Sequence, residues 1–80
     1  MKENKHGAVK IASNMYVKTI GGIVFLFSYN TPVAFESPYG KFRTNAHFSA
    51  TTTRHINKYF GKGVGEIAEH QTIMKMAGLA

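Results

Sequence analysis

The clearest signal in the chain is a set of apolar runs, separated by turn residues, that ends at residue 44. Residues 15–20, MYVKTI, are rich in strand formers, and Gly21-Gly22 follows at once, a pair able to take the positive φ angles of a two-residue hairpin turn. Residues 23–29, IVFLFSY, are apolar on both alternating sets: Ile23, Phe25, Phe27 and Tyr29 on one, Val24 and Leu26 on the other. This predicts a central strand covered on both faces, or a sheet whose second face meets a helix or another subunit. Pro32 has no N–H to give a ladder, which predicts a strand start, a bulge or an edge there. A third strand is expected over 33–36. Ser37-Pro38-Tyr39-Gly40 then has the Pro and Gly placement of a type I turn. A fourth strand over 41–44 puts Phe42 and Thr44 on one side and Lys41 and Arg43 on the other, with the cationic side toward water.

The periodicity then changes from two to between three and four. Ser49 or one of Thr51 to Thr53 can cap free N–H groups, Ile56, Tyr59 and Phe60 recur at helical spacing, and Gly61 suits a left-handed stop, so a helix is predicted over 50–60. Its expected buried stripe is Ile56, Tyr59 and Phe60, leaving Arg54, His55, Lys58, Thr51 and Lys62 along an exposed flank. Residues 62–65, KGVG, read as a flexible joint before a second helix over 66–77, with Glu66 and Glu69 near its positive end and Lys75 near its negative end. Ile67, Ala68, Met74 and Ala77 form one stripe and Ile73 and Met76 lie off it. Such broad apolar coverage suits deep docking on the sheet or a homodimer contact through this C-terminal helix. Residues 1–7 are polar and read as a frayed, flexible tail, with a polyanion-touching arm through Lys2, Lys5 and Lys10 as the alternative. Residues 8–12 fit either a short strand or a helix. The fold class is therefore α+β: a small antiparallel sheet of about four strands over 15–44, a basic helix and a C-terminal helix, in one domain over 1–80.

Size and charge sharpen this picture. A chain of 80 residues buries only about 60% of its unfolded surface, so the core must be economical. Ten Lys and Arg stand against four Glu and no Asp, for a formal charge of +6. No acidic residue lies between Ser37 and Gly65, where Lys41, Arg43, Arg54, Lys58 and Lys62 supply five positive charges. A block of this kind favours phosphate-rich or acidic partners without choosing among them. The absence of cysteine excludes a disulfide framework and a thiolate metal site and fits a cytoplasmic setting. Neither a signal peptide nor a span of roughly 20 apolar residues is indicated, so no membrane role is expected.

Catalytic chemistry finds few parts. His6, His47, His55 and His70 show no metal-ligand spacing, and GKGVG over 61–65 lacks the spacing of a phosphate-binding loop. A metal-free ribonuclease using His47, His55 and Lys58 is chemically conceivable; the preferred reading is no enzyme, no catalytic residues, no metal and no cofactor. Thr51-Thr52-Thr53-Arg54-His55 assembles the parts of an anion site at a helix start, although capping alone explains a hydroxyl there. Tyr16, Tyr29, Tyr39 and Phe42 could stack on bases, but on strands such residues are more often core; Tyr39, at a turn tip, is the one expected to be exposed.

The succession FSYNTPVAF, YGKFRT and FSATTTRHINKYFG resembles a small uncharacterised domain of phages and other mobile elements, with a YxTPVA strand followed by an SxTTx[KR]HxNK helix. Tyr29, Thr31, Pro32, Val33, Ala34, Ser49, Thr51, Thr52, Thr53, His55, Asn57 and Lys58 carry the resemblance, which spans residues 27–61. It implies a mobile-element origin and no activity. Two functions follow: a nucleic-acid-binding module using Lys41, Arg43, Thr52, Arg54, His55, Lys58 and Lys62, or a phage-encoded protein-interaction module or inhibitor of a host protein. A helix-turn-helix built from the two helices is a third, weaker reading.

Overall fold

Ile23–Ser28 and Thr31–Ser37 hold the residues around which the chain packs. Phe25, Leu26, Phe27, Val33 and Ala34 are almost wholly buried, and each large side chain of this set contributes about 1.5–3 kcal/mol of burial. The computed structural model describes residues 2–79. Its elements are β1 (Val9–Ala12), β2 (Met15–Ile20), β3 (Ile23–Ser28), β4 (Thr31–Ser37), β5 (Gly40–Thr44), α1 (Ala50–Phe60), β6 (Glu66–Ala68) and α2 (His70–Met76). The class is α+β. The six strands form one sheet in chain order, antiparallel from β1 to β5, with β6 parallel to β5. A parallel neighbour needs a crossover, and α1 provides it.

Alternation along β3 sends its two apolar sets to opposite faces, and each face receives a helix. On one, Phe25, Phe27 and Phe35 pack with Ile73 and Ala77 of the α2 region, joined by Tyr16, Ile20, Ile23 and Phe42. On the other, Met15, Leu26, Val33 and Ala34 pack beneath Ile56 of α1, with Tyr59 and Phe60 beside them. Coverage of both faces by helices is one of the arrangements predicted from residues 23–29.

The turns follow the predicted chemistry. Gly21 and Gly22 take φ of 56° and 81° between the paired Ile20 and Ile23, as a tight hairpin requires. Pro32 is the second residue of β4 and adjoins a bulge: Leu26 pairs with Ala34 but Phe27 with Pro32, which leaves Val33 as the extra residue. The bulge puts Val33 and Ala34 into the same cluster beneath α1.

The sheet has six strands rather than about four. β1 settles the ambiguity of residues 8–12 in favour of a strand. β6 takes the first three residues of the expected 66–77 helix, pairing Glu66, Ile67 and Ala68 with Phe42, Arg43 and Thr44. This strand covers the edge of β5, whose backbone groups would otherwise be unpaired. α2 starts only at His70, whose N–H donates to Asn45 Oδ1 at 3.1 Å. Consequently Ile67 lies 67% exposed on the edge strand while Ile73, expected off the stripe, is fully buried. The helix-turn-helix reading fails for the same reason, since the two helices lie on opposite faces of the sheet with β6 between them.

The described part of the expected tail, 2–7, makes hydrogen bonds to its own residues and to β1. Asn4 Oδ1 accepts from the N–H groups of His6 and Ala8, Lys10 N–H donates to the Lys2 carbonyl, and Glu3 bridges Val9. An asparagine able to organise its own turn, followed by a wholly buried Ala8, is what holds the segment. Met1 lies outside the described residues.

Candidate nucleic-acid interface

α1 carries most of the candidate residues, so its docking decides which of them face solvent. Ser49, in extended conformation at the N-cap, accepts from the Thr52 N–H at 3.1 Å. The Thr52 hydroxyl lies 3.3 Å from Ser49 Oγ and 3.1 Å from Ser28 Oγ, and Ser28 Oγ lies 2.8 Å from His55 Nδ1. Ser49, Thr52, Ser28 and His55 Nδ1 thus form one hydrogen-bonded chain in which every hydroxyl oxygen has a partner. Thr52 and His55 are 7% and 9% exposed. His55 therefore leaves the expected exposed flank, and both residues leave the set of direct phosphate contacts; they fasten α1 to β3. Burial first, then the Lys58 and Arg54 charges, hold the His55 pKa below its usual 6.5, which favours the neutral ring. Ser28 itself is 3% exposed and presents no hydroxyl to solvent.

Arg43 departs from its expected place in water. It projects from β5 on the side of α1, where Nη2 donates to Asn57 Oδ1 at 2.9 Å and Nη1 donates to the Val64 carbonyl at 3.2 Å. One guanidinium thus ties together the sheet, the helix and the loop after it. Lys62 lines the same pocket of about 470 Å³, with Asn57, Gly63, Gly65 and Ile67. From Asn57, Arg54 lies about 60° and Lys58 about 100° around the helix axis, and both are exposed. Arg43, Lys62, Arg54 and Lys58 therefore form an arc from the β5 edge over the back of α1.

Lys41 stands apart. It is paired directly opposite Glu36 in the β4–β5 register, shares a second pocket with Glu36 and Glu66, and lies 5.9 Å from the centre of the Phe60 ring. Tyr39 is 91% exposed at the β4–β5 turn, whereas Tyr16 and Phe42 join the α2-side core and Tyr29 is half-exposed, its ring 6.1 Å from that of His55. His70 repeats the arrangement of His55 on the opposite face, with Nδ1 3.0 Å from Thr44 Oγ1 and burial lowering its pKa. Among the described residues no group of three His, Asp or Glu side chains converges to hold a metal ion.

Asn57, Ser28 and the Val64 carbonyl were not singled out for these roles from the sequence. Asn57 follows Arg54 by three positions, so helical spacing could have marked it as a neighbour of the cationic flank. Nothing local signals that Ser28, at the end of an apolar strand, meets a histidine 27 residues on.

A six-stranded sheet with one helix on each face, and a cationic arc that begins at a tethered arginine, defines a small α+β domain. The chain belongs to a family of unknown function, DUF8033, whose model matches residues 1–76. No match was found among curated proteins or among solved structures. Among the described residues no helix is long and apolar enough to cross a membrane.

Proposed function

We propose that the protein is a small, basic, non-enzymatic binding protein that contacts nucleic-acid phosphates through Arg43, Arg54, Lys58 and Lys62. The observation that carries this reading is the 2.9 Å bond from Arg43 to Asn57, which brings a cation of the sheet to the flank of the helix that bears two more. Lys62 extends the same side, while Lys41 lines a separate pocket with Glu36 and Glu66. Four phosphates neutralised in this way give a slope of log affinity against log salt of about −3 to −4. The test is a gel shift across a salt series with wild type and the Arg54→Glu, Lys58→Glu double variant. Steep salt dependence and abolished binding in the variant support the reading; absence of binding to any nucleic acid, or salt-insensitive binding, overturns it.

A second reading, a phage-encoded interaction module or inhibitor of a host protein, is favoured by a groove of about 450 Å³ on the α2 face, lined by Ile23, Phe35, Pro38, Tyr39, Phe42 and Met76. A homodimer through the C-terminal helix belongs to this reading, since Met76 lies at the groove. Mobile-element origin and a host cytoplasmic setting rest on the TPVA and TTTRHINK motifs and on the absence of cysteine.

A further inference from the structure

We infer that the pocket between Arg43, Asn57, Lys62, Gly63, Gly65 and Ile67 seats one unpaired nucleotide, its phosphate on the two cations and its base on Ile67, so that single strands are preferred to duplex. The inference rests on the nucleic-acid reading above and deepens it. Three observations converge on this pocket. Arg43 is half-buried, yet both of its hydrogen bonds go to neutral oxygens, the Asn57 side chain and the Val64 carbonyl. Partial burial costs a guanidinium hydration that neutral acceptors only partly replace, and three of its five N–H groups remain to grip an anion. Lys62 adds a second charge on the same wall.

The wall is not purely ionic. Ile67 lines it and is 67% exposed, paired in register with Arg43 across the β5–β6 ladder. A duplex stacks its bases inside and offers phosphates on a convex surface, which makes no use of a branched aliphatic side chain in a recess. A single strand can turn a base outward onto a guanidinium plane, and an exposed aliphatic side chain beside it gives the apolar face of the base a surface to cover. The pocket volume of about 470 Å³ lies within the range of small-molecule sites, roughly 300–1,000 Å³. Gly63 and Gly65 keep the loop wall low; a Cβ at Gly65 would stand 3.6 Å from Arg43 Cδ.

The experiment is fluorescence anisotropy with one short labelled oligonucleotide, as a single strand and as the duplex of the same sequence, at fixed salt. The full chain is compared with Ile67→Ser and Lys62→Gln, both exposed positions, with thermal melts to verify folding. The expected result is about tenfold tighter binding of the single strand, the effect of burying one base face against an aliphatic side chain. Ile67→Ser should reduce single-strand affinity to the duplex level and leave duplex binding unchanged; Lys62→Gln should weaken both forms. A nucleoside monophosphate should compete better than inorganic phosphate. Equal binding of the two forms, indifference to Ile67→Ser, or equal competition by phosphate overturns the nucleotide pocket while the polyanion reading stands. Failure of both forms to bind removes the polyanion reading, and the pocket with it.

Discussion

Ser28 Oγ and His55 Nδ1 are 2.8 Å apart in the interface between β3 and α1, and the same serine hydroxyl lies 3.1 Å from Thr52 Oγ1. One strand residue thereby bonds two residues on successive turns of the helix. Removing the hydroxyl leaves an imidazole nitrogen and a threonine hydroxyl short of a partner in a buried place, which costs about 1–3 kcal/mol. Ser28→Ala should lower the denaturant midpoint accordingly without changing the dependence on denaturant. A change below about 0.5 kcal/mol would show that the bond does not fasten the helix.

Acid should loosen the same contact. The His55 pKa is lowered by burial, then by Lys58 and Arg54, and that of His70 is lowered by burial. Both groups bind protons more readily unfolded than folded, so the unfolded state takes up more protons and stability rises with pH across the window. The stabilisation is complete above the unfolded value of about 6.5 and is lost as pH falls from there through the lowered folded values. Melting temperature should decline on acidification below neutrality, and His55→Gln should flatten the decline. An unchanged pH profile in that variant would assign the effect elsewhere.

Much of the sheet is legible in the sequence because each cue is local. Gly21-Gly22 fixes a hairpin by backbone conformation, and the doubly apolar run from Ile23 onward requires cover on both faces. Ser49 caps α1 as predicted, and Gly61 ends it with a positive φ although not in the left-handed helical conformation. β6 is not legible: three residues carry no periodicity, and Glu66 suits the start of a helix as well as the edge of a sheet. The site divides in the same way. Lys58 and Arg54 are exposed because helical spacing puts them opposite Ile56. His55 and Thr52 are drawn inward by Ser28, a partner distant in sequence. The motif through TPVA and TTTRHINK accordingly contains many residues that shape the fold: Val33 and Ala34 in the core, Ser49 at the cap, Thr52 and His55 on Ser28, and Asn57 on Arg43.

The cations should separate by surroundings rather than by count. Arg54, Lys58 and Lys62 are exposed on the arc, so neutralising any one should reduce the salt slope of nucleic-acid binding by about 0.7–0.9. Lys41 faces Glu36 across the β4–β5 ladder and lies against Phe60. Lys41→Gln should leave the slope nearly unchanged. Titrations of the four single variants over a salt series decide the point, and an equal effect from Lys41 would mean that the contact surface extends to the β4–β5 turn.

Gly61 ends α1 with φ of 107° while its N–H donates to the Asn57 carbonyl at 2.7 Å. An added Cβ would stand 3.3 Å from Val64 Cγ2 and hold a side chain where L-residues are strained. Gly61→Ala should therefore cost about 1–3 kcal/mol. It should also displace Val64, whose carbonyl holds Arg43. Nucleic-acid affinity of the folded variant should decline together with its melting temperature; a loss of stability with full affinity would show that Arg43 does not depend on this loop.

The boundary between β6 and α2 yields a test that a continuous helix over 66–77 would fail in the opposite sense. On such a helix Ile67 shares the buried stripe with Met74 and Ala77, and Ile73 lies off it. In the fold, Ile73 is fully buried beneath the sheet with Phe25, Phe27 and Phe35, while Ile67 is 67% exposed on the edge strand. Truncating a buried isoleucine costs about 2–5 kcal/mol, depending on how far the site can collapse, whereas truncation at an exposed edge position stays within about 0.5 kcal/mol. Ile73→Ala should thus lose a large share of the stability of so small a domain and Ile67→Ala almost none, as measured by urea denaturation. Comparable losses at the two positions would place the C-terminal segment differently against the sheet, and with it the wall of the Arg43 pocket.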